Sequence, residues 1–92
     1  MTMNDKPVTN VLIDREDRQS LLEFATTLET IAKKLKEEGS FTMTEGSKET
    51  VISPSEHLKV EYSYEIKGEK HSFEIEFDWY TGDKAQSEFS IK

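Results

Sequence analysis

The side chains that could do chemistry in this sequence are two histidines and a set of carboxylates. His57 directly follows Ser55 and Glu56, but three consecutive residues cannot form a catalytic triad, whose members are brought together by the fold. His71 falls on the apolar side of a predicted strand, where it is expected to pack. Because the chain has no cysteine, no glycine-rich phosphate loop and no paired histidine and carboxylate motif, it is predicted not to be an enzyme.

Carboxylates recur along one side of residues 58 to 80, LKVEYSYEIKGEKHSFEIEFDWY. Successive side chains of a strand point to opposite faces, so these carboxylates share one face. Glu61, Glu74 and Glu76 are expected to approach one another, which would suit a divalent cation or a lysine-rich partner, although an ordinary solvated face is the simpler interpretation. No EF-hand spacing is present, and no metal or other cofactor is expected. The candidate interaction surface consists of Glu61, Glu65, Glu74, Glu76, Asp78 and Tyr80.

The same segment predicts a hairpin with a fixed register. Gly68 and Glu69 suit a two-residue type II′ turn, in which glycine supplies the positive φ. Every apolar residue then has an apolar partner, and a slip of one residue would lose all of these pairs. The predicted pairs are Tyr64 with Phe73, Tyr62 with Ile75, Val60 with Phe77 and Leu58 with Trp79 on one face, and Lys59 with Asp78 and Glu61 with Glu76 on the other.

Elements before this hairpin are expected to cover its apolar face. An apolar stripe predicts a helix from Arg15 to Glu38, with Asp14 as its N-cap and Gly39 as its C-terminal stop. Its apolar positions are Leu21, Phe24, Ala25, Leu28, Ile31, Ala32 and Leu35, with Leu22 at the flank. The expected role of Trp79 is in the core beneath this helix.

Shorter extended segments complete the predicted fold. FTMT and ETVIS, residues 41 to 44 and 49 to 53, predict a first hairpin, which Pro54 ends because proline cannot donate to a strand ladder. Residues 8 to 13 are a candidate for a short fifth strand. The predicted fold class is α+β: a two-layer sandwich of one long helix on an antiparallel four-stranded meander. Residues 1 to 80 are predicted to form a single domain, and residues 81 to 92 a flexible C-terminal tail.

Composition narrows the classes of partner. The chain has 92 residues and a net charge of −7, which argues against binding to nucleic acid or to anionic lipid, because both rely on lysine and arginine. No run of about 18 apolar residues is present, so no membrane span is expected, and the N-terminal residues do not resemble a signal peptide. A soluble cytoplasmic protein is predicted.

Three motifs occur together in an order that resembles the amphi-Trp domain family. They are LETIAKKLKEEG, which is similar to the family's leucine and alanine helix ending in glycine, then ETVISP, then LKVEYSYEIKGEKHSFEIEFDW. The resemblance covers residues 15 to 80. It implies the fold described above but no catalytic activity, so it identifies no functional residues.

The leading functional hypothesis is a noncatalytic interaction module, either a homo-oligomer or an adaptor for a protein partner, that uses the acidic face or a strand edge. Phe89 and Ile91 alternate with Ser90 and could add to such an edge. The alternative is a small-ligand or divalent-metal binding protein whose site is formed by Glu61, Glu74 and Glu76. A weaker third hypothesis is an acidic mimic of nucleic acid.

Overall fold

The computed structural model describes residues 8–82 and shows one helix and four strands. These are helix α1 (Leu21–Glu38) and strands β1 (Phe41–Glu45), β2 (Lys48–Ile52), β3 (Lys59–Lys67) and β4 (Lys70–Asp78). All strand pairing is antiparallel, which confirms the α+β class. Most of the predicted C-terminal tail, residues 81 to 92, lies outside the described residues.

Helix α1 begins six residues later than the sequence analysis predicted. Its N-cap is Ser20, whose hydroxyl accepts from the backbone N–H of Glu23 at 3.1 Å, while the Glu23 carboxylate accepts from the Ser20 backbone N–H at 2.9 Å. This reciprocal capping box satisfies two of the unpaired donors at a helix start. The prediction of Asp14 as N-cap is wrong, because residues 15 to 19 carry no apolar side chain that a helix could place on its apolar stripe.

The end of helix α1 was predicted correctly. Gly39 adopts the left-handed conformation with φ 73° and donates its N–H to the carbonyls of Lys34 and Leu35. Glycine has no Cβ and adopts this conformation at little cost. An ion pair of 3.1 Å between Lys34 Nζ and Glu38 Oε2 spans the last turn.

The first hairpin joins β1 and β2 through a tighter turn than expected. The register runs from the pair of Phe41 and Ile52 to the pair of Glu45 and Lys48. The connecting turn therefore contains only Gly46 and Ser47, not the four residues that the sequence predicted. The strand ends at Ile52 before Pro54, in agreement with the prediction.

Residues 8 to 13 do not form the fifth strand that was suggested for them. The backbone of this segment instead accepts a hydrogen bond from the first hairpin, since Lys48 Nζ donates to the carbonyl of Leu12 at 3.3 Å. Two residues after the segment, Arg15 donates to the carbonyl of Thr44 at 2.8 Å. β-Branched side chains favour extended backbone, but a strand also needs a neighbouring strand with which to pair.

The long hairpin, β3 with β4, has the predicted register. Nine consecutive pairs run from Lys59 with Asp78 to Lys67 with Lys70, and the pair of Leu58 and Trp79 lies one position beyond this ladder. Gly68 has φ 62°, and no non-glycine residue within 8–82 has a positive φ. This combination fits the predicted type II′ turn and excludes type I′, which needs positive φ at both central residues.

The strands form two two-stranded sheets, β1 with β2 and β3 with β4. The chain divides into two compact units, Met1–Ile52 and Ser53–Lys92. No side chain in the described part of the chain is fully buried. The four-stranded meander, the two-layer sandwich and the single domain of residues 1 to 80 are therefore not confirmed and stay predictions.

Candidate functional site

The acidic row consists of five carboxylates on one face of the long hairpin, and each is exposed. Because every second residue of a strand shares a face, β3 contributes two of them and β4 contributes three. Tyr80 follows β4 at the next position of the same alternation and is 45% exposed. The members of the acidic row are Glu61, Glu65, Glu74, Glu76 and Asp78.

Two charges of the same sign face each other in the middle of the acidic row. Glu61 lies directly opposite Glu76, as predicted, and like charges in this position are destabilising. The described cation nearest to them is Lys59, whose Nζ lies 3.7 Å from Glu61 Oε2. This ion pair joins two residues of the same strand and was not expected, since the sequence analysis paired Lys59 with Asp78. The two Ser residues opposite Glu65 and Glu74 carry no charge.

The acidic row does not build a metal centre. Within residues 8–82 there is no group of three or more histidine, cysteine, aspartate or glutamate residues that could hold a metal ion. Glu61, Glu74 and Glu76 share the expected face, but they do not form such a group.

The apolar face of the long hairpin is open at most positions. Tyr62 is 70% exposed and Phe73 is 63% exposed, whereas Phe77 and Trp79 are half-buried and stack on each other, with ring centroids 5.8 Å apart and an interplanar angle of 23°. Trp79 thus packs against Phe77, which lies two residues before it in the chain. The apolar face consists of Val60, Tyr62, Tyr64, Ile66, Phe73, Ile75 and Phe77, with His71 at the turn end.

His71 is engaged by Tyr64 and not by a carboxylate. The Tyr64 hydroxyl lies 2.6 Å from His71 Nδ1, and the two rings stack with centroids 5.9 Å apart. The sequence analysis did not identify this pair, although the predicted register places the two residues diagonally on one face, within reach of aromatic side chains. The imidazole is thus packed against the Tyr64 ring.

Ser55, Glu56 and His57 do not form a catalytic group. The Ser55 hydroxyl donates to the backbone carbonyl of His57 at 3.0 Å. A nucleophilic serine would instead need its proton directed at a ring nitrogen of the base.

A groove of about 420 Å³ in the first unit lies between helix α1 and strand β1. Thr27, Ile31, Phe41 and Met43 are among its lining residues. The two cationic side chains that line the groove each form an ion pair, Arg15 with Asp17 at 3.0 Å and Lys34 with Glu38.

These features define a small α+β domain whose longest hairpin has one acidic and one apolar face. The family model of the Amphi-Trp domain matches residues 6–92, and the chain belongs to this family. The match confirms the resemblance and extends beyond residues 15 to 80 at both ends. No curated protein and no solved structure matches the chain. No helix within residues 8–82 is long and apolar enough to cross a membrane.

Proposed function

We propose that this Amphi-Trp domain is a noncatalytic protein-interaction module of the cytoplasm. The observation that supports this proposal is the acidic row, which presents five exposed carboxylates in a register fixed by nine strand pairs. The regular ladder of the long hairpin places these charges at alternate positions of each strand. Such a surface suits a partner with lysine and arginine side chains at a similar spacing.

The proposal includes the two-layer arrangement that the sequence predicts. Helix α1 has 18 residues and spans about 27 Å, whereas a strand of nine residues spans about 30 Å. Leu21 and Phe24 on the helix stripe are exposed, and so is most of the apolar face. Covering one apolar surface with the other would remove both from water and leave the acidic row as the open face.

The charge of the chain limits the choice of partner. A net charge of −7 opposes association with nucleic acid or with anionic lipid and favours a basic protein surface. The alternative function predicted from the sequence, a small-ligand or divalent-metal site at Glu61, Glu74 and Glu76, gains no support from the described residues.

A charge-reversal experiment tests this function. The test variant combines Glu65→Lys with Glu74→Lys, because each residue faces a serine across the hairpin, so that the change disturbs no cross-strand ion pair. The control variant combines Glu29→Lys with Glu37→Lys on the exposed surface of helix α1 and alters the net charge equally. Each immobilised chain is incubated with native lysate and with a defined lysine-rich peptide.

The result expected for an interaction surface at the acidic row is that the wild type and the helix control retain the peptide and the same lysate proteins. The hairpin variant should retain neither. Retention should weaken as salt rises, because exposed charge pairs are screened. Equal retention by all three chains would exclude the acidic row as the interaction surface. A wild-type chain that retains no protein would overturn the proposed function.

A further inference from the structure

We propose that the outer edge of strand β4 pairs antiparallel with strand β4 of a second copy of this chain, which joins two long hairpins into one four-stranded sheet. The inference rests on the proposed function only in treating the domain as an association module. It deepens that function by naming the partner and a second contact surface, a strand edge that is distinct from the acidic row.

The outer edge of β4 is suited to strand addition. Within residues 8–82, β4 pairs only with β3. Its nine residues, Lys70–Asp78, pair one to one with β3 and include no proline. The strand therefore has no bulge, and each of its residues has a backbone N–H. A regular edge of this length is a template for another strand. The edge would also stay open if β2 paired with β3 as the sequence predicts, because β4 would then be the last strand.

Alternation of the ladder determines which backbone groups face outward. The pair of Lys67 and Lys70 closes the two-residue turn, and hydrogen-bonded pairs recur at every second position from there. The backbone groups of Ser72 and Glu74 therefore point toward β3. Those of Phe73 and Ile75 point to the outer edge and can bond to another strand.

The number of paired residues and the charges together favour one register for the second copy. When two β4 strands are centred on Glu74, all nine residues of each strand are paired. Lys70 then lies opposite Asp78 of the second copy, and this favourable pair occurs twice because the arrangement has twofold symmetry. Phe73 lies opposite Ile75 of the second copy, also twice. The two Glu74 side chains form the single unfavourable pair.

Other registers and the other strand are less favourable. A shift of one residue would set acidic positions opposite apolar ones, and centring on Ile75 would pair Glu74 with Glu76 twice. Centring on Phe73 would pair Lys70 with Glu76 twice and has no like-charge pair, but it would pair only seven of the nine residues of each strand. Self-pairing of β3 over its full length would set Lys59 opposite Lys67 twice and Glu61 opposite Glu65 twice. Like charges in direct opposition are destabilising. The charge pattern therefore favours β4 and discourages the same association through β3.

Complementary charge reversals test the inference on the full chain. Lys70→Glu creates two repulsive pairs in its own dimer, and Asp78→Lys does the same in its own. A mixture of the two variants restores both attractive pairs. Each variant alone is expected to raise the dimer dissociation constant about tenfold or more, and the equimolar mixture is expected to form a heterodimer about as stable as the wild-type dimer. Sedimentation equilibrium over a wide range of protein concentration measures these constants.

Lys67→Glu is the matched control for Lys70→Glu. Both changes remove the repulsion between Lys67 and Lys70 across the turn and alter the net charge equally, but only Lys70 lies at the proposed interface. The control is expected to dimerise like the wild type. A loss of association in both variants would place the contact elsewhere and overturn the inference.

Amide hydrogen exchange gives a readout that is independent of charge. The N–H groups of Phe73 and Ile75 should become protected as protein concentration rises, whereas those of Ser72 and Glu74 should be protected at every concentration. A chain that stays monomeric, or one that dimerises with Phe73 and Ile75 still exchanging freely, overturns the edge pairing. A monomer that nevertheless retains the lysine-rich peptide through the acidic row would overturn only this inference and would leave the proposed function in place.

Discussion

The hydroxyl of Tyr64 lies 2.6 Å from Nδ1 of His71 across the long hairpin, and the two rings stack. The contact is diagonal, since Tyr64 is directly opposite Phe73 and His71 is directly opposite Ile66. Either the hydroxyl donates to an unprotonated Nδ1 or a protonated Nδ1 donates to the hydroxyl oxygen. We predict the first arrangement, which places the ring proton on Nε2; in both, the contact ties the turn end of β4 to the middle of β3.

Replacing Tyr64 by phenylalanine is expected to release His71 from that tautomer. The ring stacking would remain, so the free energy of unfolding should fall by only about 0.5 kcal/mol, the lower end for a hydrogen bond, because both groups are exposed. ¹⁵N chemical shifts of the imidazole measure the tautomer. The control is Tyr62→Phe, which alters the same kind of side chain on the same face opposite Ile75. An unchanged imidazole spectrum in Tyr64→Phe would show that the contact does not select the tautomer.

Replacing Ser20 by alanine is expected to destabilise helix α1 at its start. The change removes the acceptor for the Glu23 backbone N–H, and the free energy of unfolding should fall by about 1 kcal/mol. Urea unfolding followed by circular dichroism measures the loss. Asp14→Ala is the control and should change the stability little, because Asp14 lies six residues before the cap. A larger effect at Asp14 than at Ser20 would contradict the observed helix start.

Replacing Gly68 by alanine is expected to strain the turn of the long hairpin. Gly68 has φ 62°, and a Cβ added there would meet no atom within 4 Å. The expected loss of about 1–2 kcal/mol therefore comes from the backbone conformation and not from a clash. Gly68→Asn should cost less, because asparagine tolerates positive φ better than alanine does. Thermal unfolding of both variants provides the comparison, and equal losses would indicate that the turn has relaxed to another type.

Replacing Glu76 by glutamine is expected to stabilise the long hairpin. Glu76 faces Glu61, and removal of one charge should raise the free energy of unfolding by about 0.5 kcal/mol in low salt. The gain should shrink as salt rises, because the repulsion that it removes is screened. Glu69→Gln is the matched control, since Glu69 lies in the turn and has no strand partner. Equal gains in both variants would assign the effect to net charge instead of to the pair.

How far the sequence predicted the fold depends on the element. The long hairpin was predicted residue by residue, because its period-two pattern and Gly68 are local signals that act together. The helix end was equally clear from Gly39. The helix start was missed although the capping box from Ser20 to Glu23 is visible in the sequence, because Asp14 offered a competing N-cap before a polar stretch.

The candidate site was predicted in the same uneven way. The face shared by the acidic row follows from alternation alone, so Glu61 and Glu76 were correctly placed in opposition. The ion pair of Lys59 with Glu61 and the contact of Tyr64 with His71 depend on side-chain conformations, which the strand pattern does not specify. The turn of Gly46 and Ser47 was predicted too long because Glu45 and Lys48 resemble loop residues, although they form the last pair of the first hairpin.

The sequence by itself determined the helix end, both hairpins and the register and facial chemistry of the long one, because each follows from interactions between residues close in the chain or directly paired. Only the tertiary structure decided which side chains meet, such as Lys59 with Glu61 and Arg15 with the carbonyl of Thr44. The physical reason is that contact between elements depends on the path of the connecting segments and on the loss of conformational entropy when they pack. The alternation of apolar and polar residues along one strand determines neither quantity.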